Sequence, residues 1–183
     1  NTLGQYQSYQ FFSLPQLYQV VNGVNLFAPK FNVIPPGVEE DLYFPYHQKE
    51  KRIQTKWQQW ESRLFEDNSE DIYGSLDHPD KMPIFTMARF DKIKNITGLI
   101  QAFGMSKELQ NFCNLIFAAG TIHVEDSSDS EERNEIIKAY DLIESYNLHG
   151  KIRWLPSINK LDTGEVYRII ADHKGIFVQP ALF

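Results

Sequence analysis

From residue 82 onward, short apolar runs alternate with longer stretches in which apolar residues recur every three or four positions. The runs are 83–88, 113–119, 151–155 and 176–178, and each reads as a strand. Between them lie Ile96, Leu99, Ile100 and Phe103; then Ile136, Ile137, Tyr140 and Ile143; then Val166, Ile169 and Ile170. Those spacings predict helices over about 94–104, 129–147 and 163–172. Ser128 with Glu131, and Asp162 with Glu165, are spaced as capping boxes for the last two. Strand-helix alternation with short connections predicts an α/β fold: a parallel sheet with right-handed crossovers. The usual order for such a sheet places strands two and three on one side of strand one and strand four on the other, that is 3-2-1-4.

Upstream the pattern differs. Residues 1–34 are rich in Gln, Tyr and Phe, with a helix expected at about 14–22 and a short strand at 31–34. Pro35-Pro36-Gly37 ends that strand, since proline cannot continue a ladder and glycine permits the turn. A further helix is expected over 48–65, with Ile53, Trp57, Trp60 and Leu64 on one stripe. Residues 66–81 are polar and acidic and read as a loop with scope to move.

Composition limits the partners. The chain has 183 residues, 42% of them hydrophobic, enough for one domain or for one domain and a piece of another. A net charge of −6 argues against a nucleic-acid or anionic-membrane surface. Cys113 is the single cysteine, so no intrachain disulfide can form, and a cytoplasmic protein is expected. No apolar stretch approaches the ~20 residues of a membrane span. The chain begins on Asn1 in polar sequence and stops on Phe183 without a cap, which is expected of a piece of a longer protein.

Against the acidic background, Arg89, Lys92 and Lys94 cluster in Ala88–Asn95, where the first strand hands over to a helix. In a doubly wound sheet that junction favours phosphates, because backbone N–H groups and the helix dipole already attract an anion. The switch point of the sheet falls between the end of strand one, at Arg89, and the end of strand four, at 179–183. Arginine grips phosphate oxygens bidentately and lysine acts as a point charge. Arg89 and Lys94 are therefore the candidate anion ligands, and Lys92 is expected to point to solvent. The alternative is an ordinary solvated loop. Other motifs carry less. The five histidines show no metal spacing, and there is no GxGxxG, Walker or GxSxG motif. Cys113 opens a strand and reads as core rather than nucleophile. Trp57 and Trp60, three apart, read as anchors for their helix. The acidic run 125–135 reads as a loop and helix start, where carboxylates suit the dipole.

The string MARFDKIKNITGLIQAFG resembles the start of the second lobe in retaining GT-B glycosyltransferases, and most closely the sucrose synthases. GQYQSYQFFSLPQLYQVVNGVNLFAPKFNVIPPG resembles that family's approach to the interlobe hinge, EDLYFPY follows it, and GEVYRIIADHKGIFVQPALF resembles its run towards an acidic sugar-binding motif. The resemblance implies three parts: residues 1–35 as the end of the first GT-B lobe, 36–81 as hinge, linker helix and polar loop, and 82–183 as the first part of a Rossmann-like nucleotide-binding second lobe. It implies reversible glucosyl transfer between sucrose and a nucleoside diphosphate, with retention, giving NDP-glucose and fructose. Arg89 and Lys94 match the pair that binds the diphosphate and carries the catalysis. Thr163, in the loop PSINKLDTG, stands where plant members have a nucleotide-contacting asparagine, and the loop resembles bacterial members, leaving ADP or UDP open. The family implies no metal or other cofactor, and a homotetramer. Its two-glutamate acidic motif is expected after Phe183, and its glycine-rich loop and site histidine before Asn1, so the isolated segment is expected to be inactive. Alternatives are sucrose-phosphate synthase, another retaining glycosyltransferase, or a nucleotide-binding module without catalysis.

Overall fold

Each apolar run after residue 82 forms a strand: β1 (Met82–Met87), β2 (Cys113–Ala118), β3 (Ile152–Leu155) and β4 (Ile176–Phe177). All pairings are parallel and the order is β3-β2-β1-β4, as the alternation predicts. Met82 faces Cys113 at one end of the β1–β2 ladder and Met87 faces Ala118 at the other, while Ile84 and Phe85 also pair with Ile176 and Phe177. The computed structural model describes residues 42–182. The expected helix at 14–22, strand at 31–34, turn at 35–37 and the whole segment 1–35 lie outside them.

Five helices accompany the strands among the described residues: α1 (Gln54–Phe65), α2 (Ile96–Met105), α3 (Lys107–Phe112), α4 (Ser130–Ser145) and α5 (Lys160–Asp172). Successive side chains of a strand alternate between faces. Ile84, Leu115, Phe117, Ile152 and Trp154 meet Ile96, Ile100 and Phe103 of α2 and Ile136, Ala139 and Ile143 of α4. Phe85, Ile116, Ala118 and Leu155 meet Trp60, Leu64 and Phe65 of α1 and Val166, Ile169 and Ile170 of α5. The chain steps outward from β1 to β3 with α2 and α4 on one face. It then returns to the other side of β1, and a right-handed crossover must put α5 on the opposite face. Cys113 is buried at the start of β2, and burial pushes its thiol pKa up, so it is a core residue as expected. Trp60 and the half-buried Trp57 anchor α1, whereas Ile53 sits at the helix N-terminus and is exposed.

Local signals needed correction at the helix starts. α4 is capped by Asp129, whose side chain accepts the Glu131 N–H at 2.8 Å, and not by Ser128. α5 begins three residues earlier than predicted, capped by Asn159 through the Leu161 N–H at 3.0 Å. Asp162 then lies in the first turn, paired with Lys56 at 2.8 Å, and Glu165 faces inward. Ser127–Ser130 offers four capping side chains in a row, and at the start of α5 both Asn159 and Asp162 qualify, so the local sequence does not single out the cap. The helix expected over 48–65 is a 3-10 turn (Lys49–Lys51) followed by α1. The one expected over 94–104 is a 3-10 turn (Lys92–Lys94) followed by α2. The short α3, capped by Ser106, has too few apolar residues to announce itself.

Residues 66–81 form a loop, as expected, but one tied closely to the sheet. Ile72 is buried, and Tyr73 exchanges backbone hydrogen bonds with Trp154, each 2.9 Å. The Asp77 N–H donates to the Gly150 carbonyl at 2.8 Å. The segment thus runs along the outer edge of β3 and blunts it. Arg153 holds it there. This side chain is fully buried on the α1–α5 face, and donates to the carbonyls of Arg63 at 2.8 Å, Gly74 at 3.0 Å and Asp67. Burial pulls its pKa below the ordinary arginine value, and three backbone acceptors take the guanidinium hydrogens. A polar composition hid this, because the partner that orders the loop lies more than seventy residues away.

The linker is also tied to α5 by charge. Glu165, almost wholly buried, bonds Arg52 at 2.6 Å and Arg168 at 3.0 Å, while Arg52 reaches Asp172 at 2.6 Å. Arg168 also donates to the Leu42 carbonyl at 3.0 Å and covers the Phe44 ring. His173, just past α5, contacts Glu61 at 2.6 Å and stacks on Phe65.

Two outcomes are expected of the intact protein. Arg153→Met removes the donor of three part-buried backbone hydrogen bonds and costs about 3 kcal/mol, at roughly 1 kcal/mol for each. Protease nicking within 66–81 then appears, and the Tyr73 and Asp77 amides exchange faster; unchanged exchange would refute the tether. Glu165→Ala removes the shared partner of two largely buried guanidiniums and costs about 3 kcal/mol. Amide exchange through Gln54–Phe65 accelerates by roughly a hundredfold, and an unaltered rate there would show that the clamp contributes nothing.

Candidate functional site

The site grows from the end of β1. Phe90 is buried against Phe117 and Trp154 and anchors the loop that follows the strand. Its neighbours Arg89 and Asp91 stay at the surface together. Arg89 is 85% exposed at its side chain, and its Nη2 lies 3.1 Å from Asp91 Oδ2. The other Asp91 oxygen accepts the Lys94 N–H at 3.0 Å and so caps the turn Lys92–Lys94. Arg89 and Lys94 are therefore brought into one short loop with a single carboxylate between them. Lys94 is half-buried, and its ammonium makes no ion pair among the described residues. The Lys92 side chain is exposed; its backbone N–H donates to Glu131 Oε1 at 3.0 Å.

The remaining wall comes from the end of β4. Asn95 adopts a left-handed conformation, with φ 56°, which asparagine tolerates better than most residues. Its side-chain amide donates to the Pro180 carbonyl at 3.1 Å, and the Leu182 N–H donates to the Ile93 carbonyl at 2.9 Å. The chain beyond β4 is thus laced to the cationic loop at the point where the strand order reverses. Gly98 permits this: a Cβ there would lie 2.2 Å from Asn95 Oδ1. From the other side, Thr97 donates its hydroxyl to Glu135 at 2.6 Å in a buried contact between α2 and α4.

Thr163 lies apart, in the first turn of α5 after β3. It is buried, and its hydroxyl donates to the carbonyls of Lys160 at 2.9 Å and Asn159 at 3.2 Å. A separate cleft of about 240 Å³ is lined by Glu70, Asp71, Asp126, His123 and Pro156. Its carboxylates suit an anion poorly. No group of His, Cys, Asp and Glu among the described residues is arranged to hold a metal ion, and no helix among them is long and apolar enough to cross a membrane.

Sequence reasoning singled out Arg89 and Lys94 but passed over Asp91, Asn95, Gly98 and Glu131. Asp91 had a signal, an N-capping side chain ahead of a turn. The partners of Asn95 and Glu131 lie far along the chain and had none.

The arrangement can hold a compact polyanion: two cations, carried by a capped turn, beside the chain that follows β4. The model of the sucrose synthase first GT-B domain matches residues 1–65. Sucrose synthase of Thermosynechococcus vestitus is 57% identical over the whole of this chain, and that of Melioribacter roseus 50%. Sucrose synthase 2 of Pisum sativum is 47% identical, again over the whole chain. The chain spans 23% of the length of each of these relatives. With its parallel 3-2-1-4 sheet, and matched end to end by bacterial and plant relatives about half identical to it, the chain belongs to the sucrose synthase family of GT-B glycosyltransferases.

Proposed function

We propose that the intact protein containing this segment transfers glucose reversibly between sucrose and a nucleoside diphosphate with retention, yielding fructose and NDP-glucose, and that Arg89 and Lys94 grip the diphosphate. The observation that carries this is a paired loop. Two cations stand at the C-terminal end of β1, next to β4, and Lys94 is uncommitted to any carboxylate among the described residues. Open α/β sheets bind ligands at that crevice.

The chemistry follows from charge. Breaking the glycosidic bond to the diphosphate leaves negative charge on the departing phosphate oxygens. Fixed cations stabilise that charge as it develops, without reorganising. They also hold the diphosphate so that the acceptor hydroxyl approaches on the retained face. No side chain of this segment acts as general base, and no metal or other cofactor enters. Thr163 serves only as an acceptor towards the nucleotide, because its hydroxyl hydrogen is committed to the carbonyls of its own helix. The loop 156–164 leaves both ADP and UDP as substrates. The protein works in the cytoplasm, as a homotetramer, and the segment alone does not turn over sucrose. The likeness to relatives named sucrose synthase supports this reading along the whole chain.

Arg89→Ala and Lys94→Ala in the intact protein are each expected to lower fructose release from sucrose by about 10²-fold, the scale of losing one preorganised donor. The assay is run with ADP and with UDP. Near-normal turnover in either variant would remove the diphosphate assignment.

A further inference from the structure

Resting on the diphosphate reading of Arg89 and Lys94, we infer that Asp91 is a positioning residue of the same site. One of its oxygens orients the Arg89 guanidinium while the other shapes the turn that carries Lys94.

Geometry supports this division of labour. The Asp91 side chain is only 23% exposed and sits directly after the buried Phe90, so the carboxylate cannot wander with the solvent. Arg89 is the opposite case. Its long side chain is open to water, and left alone it would sample many rotamers. Asp91 is its one ion-pair partner among the described residues. The contact uses a single guanidinium nitrogen, Nη2, at 3.1 Å. An arginine has five N–H donors, so those remaining stay available to phosphate oxygens. A pair this exposed is weak enough to yield to a diphosphate, yet it biases the rotamer before the ligand arrives. Preorganisation of this kind lowers the ordering that binding and reaction otherwise require.

The carboxylate also selects between cations. It takes Arg89 as its ion-pair partner and uses its second oxygen for the Lys94 backbone, leaving the Lys94 ammonium without an ion pair among the described residues. One cation is held in orientation and the other remains an uncompensated charge. That matches the two modes in which arginine and lysine contact phosphates.

Sucrose cleavage by the intact protein tests the role through a double-mutant cycle with Arg89→Ala. Asp91→Asn keeps a capping acceptor for the Lys94 N–H and removes the charge that orients Arg89. The expected result is about a tenfold loss of kcat, the scale of coupling between neighbouring charges, with KM for sucrose unchanged. In the Arg89→Ala background, the same substitution is expected to cost nothing further. Full kcat in Asp91→Asn would overturn the inference. So would an equal loss in both backgrounds, which would mean that Asp91 acts through the fold. Asp91→Ser, which also caps, provides a second variant with the same expectation should the asparagine variant fold poorly. Parental turnover in Arg89→Ala alone would instead sink the diphosphate reading. An impaired Arg89→Ala beside a normal Asp91→Asn would sink only the role of Asp91.

Discussion

β1 is hydrogen-bonded on both edges, to β2 along its whole length and to β4 across two residue pairs, and this double pairing sets everything around the site. A parallel ladder fixes where its strands end relative to one another. Because β4 returns beside β1, the loop after β1 and the chain after β4 must emerge together at the same edge of the sheet. The bonds from Asn95 to Pro180 and from Leu182 to Ile93 are consequences of that meeting. The handedness of the crossovers sends α5 to the opposite face, where it receives the linker helix.

Much of this was legible because strands and helices write different periods. Runs such as Ile84-Phe85-Thr86-Met87 and the helical spacing of Ile96, Ile100 and Phe103 leave little choice of element, and the alternation leaves little choice of topology. That Arg89 and Lys94 stand beside the switch point was visible from position alone, since the switch point follows from the strand order. Helix starts were harder. In Ser127–Ser130 all four residues can cap, and in Asn159–Asp162 both end residues can, and the local pattern does not rank them. Arg153 was invisible for another reason. Within Lys151–Leu155 it reads as an ordinary charge on a short strand, and only the folded chain brings three carbonyls to it. The same distance hid the order of residues 66–81.

The charge balance also gains a local meaning. A chain with net charge −6 is poorly suited to anions as a whole. Around the loop after β1, however, the carboxylates are occupied as structural acceptors. Asp91 caps a turn, Glu131 takes the Lys92 N–H, Glu132 takes the Ser127 hydroxyl and Glu135 takes the Thr97 hydroxyl. Acidic residues thus build a frame on which a few cations are displayed, and the field at that frame need not follow the sign of the whole chain.

The buried arginine of β3 bears on where an autonomously folding lobe begins. Its three acceptors come from the end of α1 and the segment beyond it, and Tyr73 supplies the outer partner of Trp154. A truncation at the first strand, residue 82, would keep the sheet but strand a guanidinium inside it with no carbonyls to receive it. It would also bare the edge of β3 and the apolar flank of α5 that α1 covers. The cooperative unit therefore starts upstream of Arg52, and the linker belongs to the lobe it leads into.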